Sequence, residues 1–175
     1  MKHEVEIELK TILTEADFYR LLGFYVPVTF KRQHNFYYQG IDRSHYAFRI
    51  RETREGKLFT LKTKAAKGRL EHEKYLDGDW KDDPEITKLL AEYGFIGPFE
   101  LCGDLITDRA VICDGLAELC FDINHYNGLI DYEVEYEIKK THDHIVRFES
   151  ILRQADLAYI PNKVSKYARC LKTRQ

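Results

Sequence analysis

Glu4-Val5-Glu6-Ile7-Glu8-Leu9-Lys10 alternates strictly between charged and apolar residues. As a β-strand it puts Val5, Ile7 and Leu9 on one face and Glu4, Glu6, Glu8 and Lys10 on the other. Taken alone, this is an ordinary solvated strand face. The same design returns along the chain, with the charge sign sorted strand by strand. Arg49 and Arg51 share a face, as do Lys62 and Lys64. Glu71 and Glu73 form an acidic pair, and Glu133, Glu135 and Glu137 an acidic triplet. Like charges repel when they neighbour one another on a sheet face, so such repetition calls for counter-charges or ligands. Converging, these faces make a site for metal ions and a polyanion.

Turn and cap signals divide the chain around these strands. Residues 2–10 read as the first strand. Thr14 with Asp17 three residues later resembles a capping box; Phe18, Leu21 and Leu22 then give a short helical stripe that Gly23 ends. Residues 29–39 read as a second strand, closed by Gly40, Ile41 and Asp42. Residues 46–53 and 58–64 form a hairpin about a turn at 54–57, which is expected to set the arginine and lysine pairs side by side. Residues 69–77 alternate poorly but fit a fifth strand. Pro84 opens a helix that Gly94 closes. Residues 99–113 and 116–124 meet at Asp114-Gly115, a strong hairpin signal. His125 to Leu129 turn the chain into a last long strand over 131–139. A helix over 143–157 carries Ile145, Phe148, Ile151, Leu152 and Ala155 on one side, and a final helix follows Pro161.

About eight strands joined mostly by short turns predict an α+β, mainly β fold: an eight-stranded antiparallel β-barrel in a single domain over residues 1–175. An ordinary barrel fills its inside with apolar side chains. Here the helices need an apolar partner, and the outer faces of the strands supply it. The expected interior is therefore charged and wet.

Composition narrows the partners. A formal net charge of -2 gives no reason to expect nucleic acid or a membrane surface. No apolar run is long enough to span a bilayer and no signal peptide opens the chain, so the cytoplasm is the expected location. The four cysteines, Cys102, Cys113, Cys120 and Cys170, form no CxxC pair and are expected to be buried free thiols. Seven histidines (His3, His34, His45, His72, His125, His142, His144) are scattered, and none is placed as a nucleophile's base. No Gly-rich phosphate loop is present.

As an ordered set the charged strands resemble the CYTH superfamily, also called triphosphate tunnel metalloenzymes. Glu6-x-Glu8-x-Lys10 is similar to its ExExK signature. Phe48-Arg49-Ile50-Arg51 resembles its LRIR strand, and Thr60-Leu61-Lys62-Thr63-Lys64 its TLK strand. Glu71-His72-Glu73 resembles the acidic strand that follows, with Glu4 in phase on the first strand. Arg109 resembles the lone arginine, Asp122 the next strand's aspartate, and Glu133-Val134-Glu135 the late ELE strand. The likeness spans nearly the whole chain and is greatest to small bacterial members labelled adenylate cyclase-like.

The resemblance implies a tunnel that holds a triphosphate with Mg²⁺ or Mn²⁺, in a monomer or homodimer. Members hydrolyse inorganic, thiamine or nucleoside triphosphates, and a few cyclise ATP. Side-chain chemistry assigns Arg49, Arg51, Lys62, Lys64 and Arg109 to the phosphates. It assigns Glu6, Glu8, Glu133 and Glu135 to hard divalent cations; the resemblance adds Asp122, and Glu137 is a third in-phase carboxylate. Either Glu133/Glu135 or Glu135/Glu137 is the metal-binding pair, and the family's C-terminal basic residue is Lys163 or Lys166. Lys10, surrounded by glutamates, is expected to stay an ammonium and to orient water or substrate rather than act as a base. The leading expectation is thus a metal-dependent triphosphatase. A class IV-type adenylate cyclase and a non-catalytic polyphosphate- or nucleotide-binding module are the alternatives.

Overall fold

The computed structural model describes residues 1–41 and 47–174. The expected strand end at Asp42, the strand start at Tyr46 and His45 lie outside the described residues.

The first thirteen residues decide the architecture. Lys2–Glu6 (β1) and Glu8–Leu13 (β2) are one run, interrupted only at Ile7. β1 pairs antiparallel with Arg69–Leu76 (β6), and β2 pairs antiparallel with Leu129–Ile138 (β9). Between those edges lie Lys31–Gly40 (β3), Phe48–Thr53 (β4), Gly56–Lys64 (β5), Phe99–Cys113 (β7) and Ala117–Tyr126 (β8). The sheet order is β1-β6-β5-β4-β3-β7-β8-β9-β2. Both sheet ends therefore belong to the same N-terminal run, and the sheet closes on itself. Among the described residues nine strands are present where eight were expected, because the first one is shared between two partners.

The break is held on both sides. The Ile7 carbonyl accepts from the Ile138 amide at 2.9 Å. Gly68, at φ +72°, comes so close that a Cβ there would lie 2.1 Å from the Glu6 carbonyl oxygen. Only glycine fits that approach and that conformation.

Most connections follow their turn chemistry. The β8–β9 hairpin turns at Asn127 and Gly128, both at positive φ, as a tight two-residue hairpin requires. The two strands thus run closer to their turn than expected. α1 (Glu15–Leu22) begins at Thr14, whose hydroxyl accepts from the Asp17 amide, and α2 (Pro84–Glu92) begins at Asp83. α3 spans His144–Arg153, shorter than the expected 143–157; the chain then turns through Asp156 at φ 54°. α4 (Lys166–Lys172) starts only after Ser165 caps it. The preceding segment is tied to β2, where the Asn162 amide donates to the Lys10 carbonyl at 2.9 Å.

Two apolar clusters lie outside the barrel. Phe18, Leu21 and Leu22 of α1 and Phe148, Ile151 and Leu152 of α3 bury against Leu119, Phe121, Val134 and Tyr136. Ile86, Leu89 and Leu90 of α2, with Trp80, bury against Phe48, Ile50, Phe59 and Leu61. Each large side chain removed from water this way contributes about 1.5–3 kcal/mol. The outer faces are thus the apolar ones, as the alternation predicts. α4 is different: Cys170 and Tyr167 pack against Tyr37 and Leu105, whose register puts them on the same face as Arg49 and Arg51. Cys120 and Cys170 are buried as expected, but Cys102 is half-buried and Cys113 exposed at the end of β7.

Candidate functional site

Strand register carries the charged residues onto one continuous inner face. Lys10 stands opposite Glu135, and Glu8 opposite Glu137, across the β2–β9 seam. Asp122 lies between Arg109 and Glu133 on neighbouring strands. Arg49 is opposite Tyr37 and Thr60, and Arg51 opposite Asn35 and Leu58. Lys62 is opposite Glu71, which is opposite Glu4. The arginine and lysine pairs share this face, but they are not side by side: the hairpin register staggers them, so Lys62 meets carboxylates instead.

One half of the face is an acidic cluster held by cations. Asp122, Glu133 and Glu135 are buried, and each offers a carboxylate oxygen within 4.8 Å of the others. Arg109 grips Asp122 with both Nε (2.7 Å) and Nη2 (2.6 Å), and Nη2 also reaches Glu135 at 2.5 Å. Lys166 Nζ lies 2.9 Å from Asp122, 2.7 Å from Glu133 and 2.5 Å from Glu135. Burial opposes the Lys166 and Arg109 charges, yet the surrounding carboxylates hold both well above their usual pKa values. Burial likewise opposes the Glu135 charge, but Lys166, Arg109 and Lys10 keep it well below the usual carboxylate range.

The other half centres on Lys62. Its ammonium bonds Glu6 at 2.6 Å and Glu71 at 2.5 Å. Burial pushes the Glu6 carboxyl up, with Glu71 and Glu137 adding to the effect against Lys62. Burial also raises Glu8, helped by Glu135 and opposed by Lys10, whose Nζ lies 2.6 Å from Glu8. Each of Glu6 and Glu8 thus has one lysine partner, which does not offset the cost of burying its charge.

Arg49 and Arg51 differ from Lys10, Lys62, Arg109 and Lys166. Among the described residues neither has a carboxylate partner: Arg49 Nη2 donates to the Thr60 hydroxyl at 3.0 Å, and Arg51 Nε to Asn35 Oδ1 at 2.9 Å. Among the described residues, Arg49 Nε is buried with no hydrogen-bond partner. Burial, with repulsion from Arg49 and Arg109, lowers Arg51 to about 9.

The remaining candidates fall at the margins. Glu4 is exposed and pairs with Lys2; Lys64 is exposed. Glu73 accepts from the Thr60 hydroxyl at 3.2 Å. Of the two C-terminal lysines, Lys166 enters the cluster and Lys163 is exposed. Glu137 stands at the cluster's edge, 3.4 Å from Arg109 and 3.0 Å from Lys139. Two participants escaped the sequence reading. Arg169 bonds Glu133 at 3.0 Å and Asp131 at 2.8 Å, and Asn162 donates to Glu133 at 2.8 Å. Arg169 carried a usable signal, since it lies three residues from Lys166 on one helix face.

A closed antiparallel barrel with ionic walls, α1 to α3 outside and α4 against its inner face, defines the class of protein, and comparison names the family. A CYTH domain matches residues 4–170, so the chain belongs to the CYTH family. Among its relatives is the Bacillus subtilis protein named "Putative triphosphatase YjbK", 29% identical over 184 residues, covering 95% of this chain and 93% of that protein. Among solved structures it is similar to a Bacillus halodurans protein described as a "putative adenylate cyclase", with a TM-score of 0.85 and 30% identity over 97% of this chain and 98% of that one. It also shares its fold with HpAC1 from Hippeastrum (TM-score 0.78, 21% identity, 97% of each chain). That protein is described as a "putative adenylyl cyclase" that reveals a dominant triphosphatase activity. Among the described residues, no helix is long and apolar enough to cross a membrane.

Proposed function

We propose that this protein is a divalent-metal-dependent triphosphatase that holds a triphosphate against the inner face of its barrel, inorganic triphosphate being the leading substrate. The observation that carries this reading is the state of Arg49 and Arg51. Two neighbouring guanidinium groups sit inside a protein with no carboxylate among the described residues, one with an orphaned Nε, while Lys10, Lys62, Arg109 and Lys166 all have carboxylates. Arginine forks without a carboxylate fit a phosphate chain.

The carboxylates serve a different charge. Asp122, Glu133 and Glu135 offer only hard oxygen donors, close enough to share one ion, which suits Mg²⁺ or Mn²⁺. This favours Glu133/Glu135 over Glu135/Glu137 as the late pair. Glu6 and Glu8, whose ionised forms burial disfavours, are the ligands from the first strand. A bound divalent cation would neutralise phosphate oxygens and polarise the attacking water. Arg49 and Arg51 bind the phosphate chain and orient its terminal group for in-line attack. Lys10, bonded to Glu8 and facing Glu135, orients water or substrate. Inorganic triphosphate and water then yield pyrophosphate and phosphate.

The test offers purified protein inorganic triphosphate, ATP, thiamine triphosphate and polyphosphate, with Mg²⁺ or Mn²⁺, and assays phosphate and cyclic nucleotide together. Phosphate released from triphosphate only when metal is added supports the reading. Cyclic AMP as the main product from ATP replaces it with cyclisation. Binding without turnover of any substrate replaces it with a non-catalytic module.

A further inference from the structure

Lys166 is placed as a cation would be. Its Nζ lies within 2.9 Å of one oxygen from each of Asp122, Glu133 and Glu135, the same residues whose oxygens cluster closely enough to share an ion. A divalent ion would take such oxygens at about 2.0–2.1 Å in the case of Mg²⁺. It cannot share the position with an ammonium, on grounds of both space and charge.

We propose that Lys166 is a built-in counter-ion that fills the cation position of this cluster in the ligand-free protein, and that divalent metal enters only as Lys166 withdraws and α4 loosens. This rests on the metal reading given above. The helix is involved because its hold on the cluster is not confined to Lys166. Arg169, on the same face, bonds Glu133 and Asp131, and Asn162, just before the helix, bonds Glu133. An ion drawing Glu133 oxygens towards itself pulls against all of these contacts. Beyond the cluster, α4 is held by side-chain contacts to β3, β7 and the β8–β9 turn: Cys170 lies over Gly103 and its Sγ reaches the Asp104 carbonyl at 3.4 Å, Tyr167 lies tilted against Tyr37 with ring centroids 4.9 Å apart and bonds Cys102 Sγ at 3.3 Å, and Asn127 donates to the Cys170 carbonyl at 2.7 Å and the Thr173 hydroxyl at 3.0 Å.

Withdrawal has a use as well as a cost. Buried unpaired carboxylates are unfavourable, so an internal ammonium helps keep the cluster folded. Once displaced, the same ammonium is free to meet an incoming phosphate. Metal and triphosphate would then each favour the binding of the other.

The test is amide hydrogen exchange of residues 166–172 in the full chain, with and without saturating Mn²⁺, beside Mn²⁺ binding followed by electron paramagnetic resonance. The expected result is exchange in α4 that quickens on Mn²⁺ binding while the strands stay protected. Lys166→Met, checked for fold by circular dichroism, should bind Mn²⁺ on the order of tenfold more tightly. Mn²⁺ binding with α4 exchange unchanged or slowed overturns the proposal and leaves the metal reading standing. Absence of Mn²⁺ binding in both the natural chain and Lys166→Met overturns both.

Discussion

Lys10 faces Glu135 across the seam where the N-terminal run meets the last long strand. Their side chains belong to strands far apart in the sequence, yet their register is what closes the barrel and joins its acidic halves. Glu8, two residues earlier, bonds Lys10 and feels the charge of Glu135. The seam is thus both a structural closure and the middle of the candidate site.

Neutralising one carboxylate from each half tests the metal assignment. Glu6→Gln and Glu135→Gln keep side-chain shape while removing a charged donor. Each should lower metal-dependent phosphate release by about a hundredfold or more, with the far-ultraviolet dichroism retained. Near-normal turnover in both variants contradicts the assignment.

Arg51 predicts a pH dependence for anion binding. Burial, then Arg49 and Arg109, lower its pKa to about 9. An anion prefers the charged form, so its contribution is full below that value and fades as pH rises through it. Triphosphate binding to metal-free protein, measured by calorimetry, should weaken above about pH 9, and Arg51→Ala should flatten that dependence. Arg49→Ala should weaken binding more than it lowers the unfolding midpoint.

Arg109 should matter for stability before it matters for turnover. It bonds Asp122, Glu135 and Glu137 from a nearly enclosed position. Arg109→Met leaves buried carboxylates short of a partner, which typically costs about 3–5 kcal/mol. Urea unfolding should show that loss, and Mn²⁺ should restore part of it.

The opposite seam, between β1 and β6, carries a histidine contact. His3 Nδ1 and His72 Nδ1 lie 2.8 Å apart, so one of them must be an acceptor. Burial and then His3 depress the His72 pKa. The unfolded chain therefore takes up this proton first. The stabilising contribution is complete above the unfolded value of about 6.5 and is lost as pH falls below it. The difference in melting temperature between the natural chain and His3→Gln should shrink from pH 7.5 to pH 5.5.

Gly68 tests the closure itself. Alanine there meets both a left-handed φ and the Glu6 carbonyl, and should cost more than about 1 kcal/mol. Local amide exchange should rise in residues 2–8 rather than around α2.

The alternation of Glu4 to Lys10 determined, without coordinates, that a strand with one charged face begins the chain. Repetition of that pattern at Arg49/Arg51, Lys62/Lys64 and Glu133/Glu135/Glu137 was enough to predict a barrel with a charged inside and helices outside. This succeeds because a period of two is a local property and leaves only one way to bury the apolar faces. Partner choice is not local. That Lys62 neutralises Glu6 and Glu71 while Arg49 and Arg51 have no carboxylate among the described residues follows from a strand stagger. Which C-terminal lysine matters depends on where a short helix docks, and Arg169 and Asn162 join the cluster through the same docking. The division of the first strand between two partners arises only when the sheet curls far enough for Glu6 and Glu8 to see opposite edges. Sequence period fixed which faces are charged; only closure in three dimensions decided which charges meet.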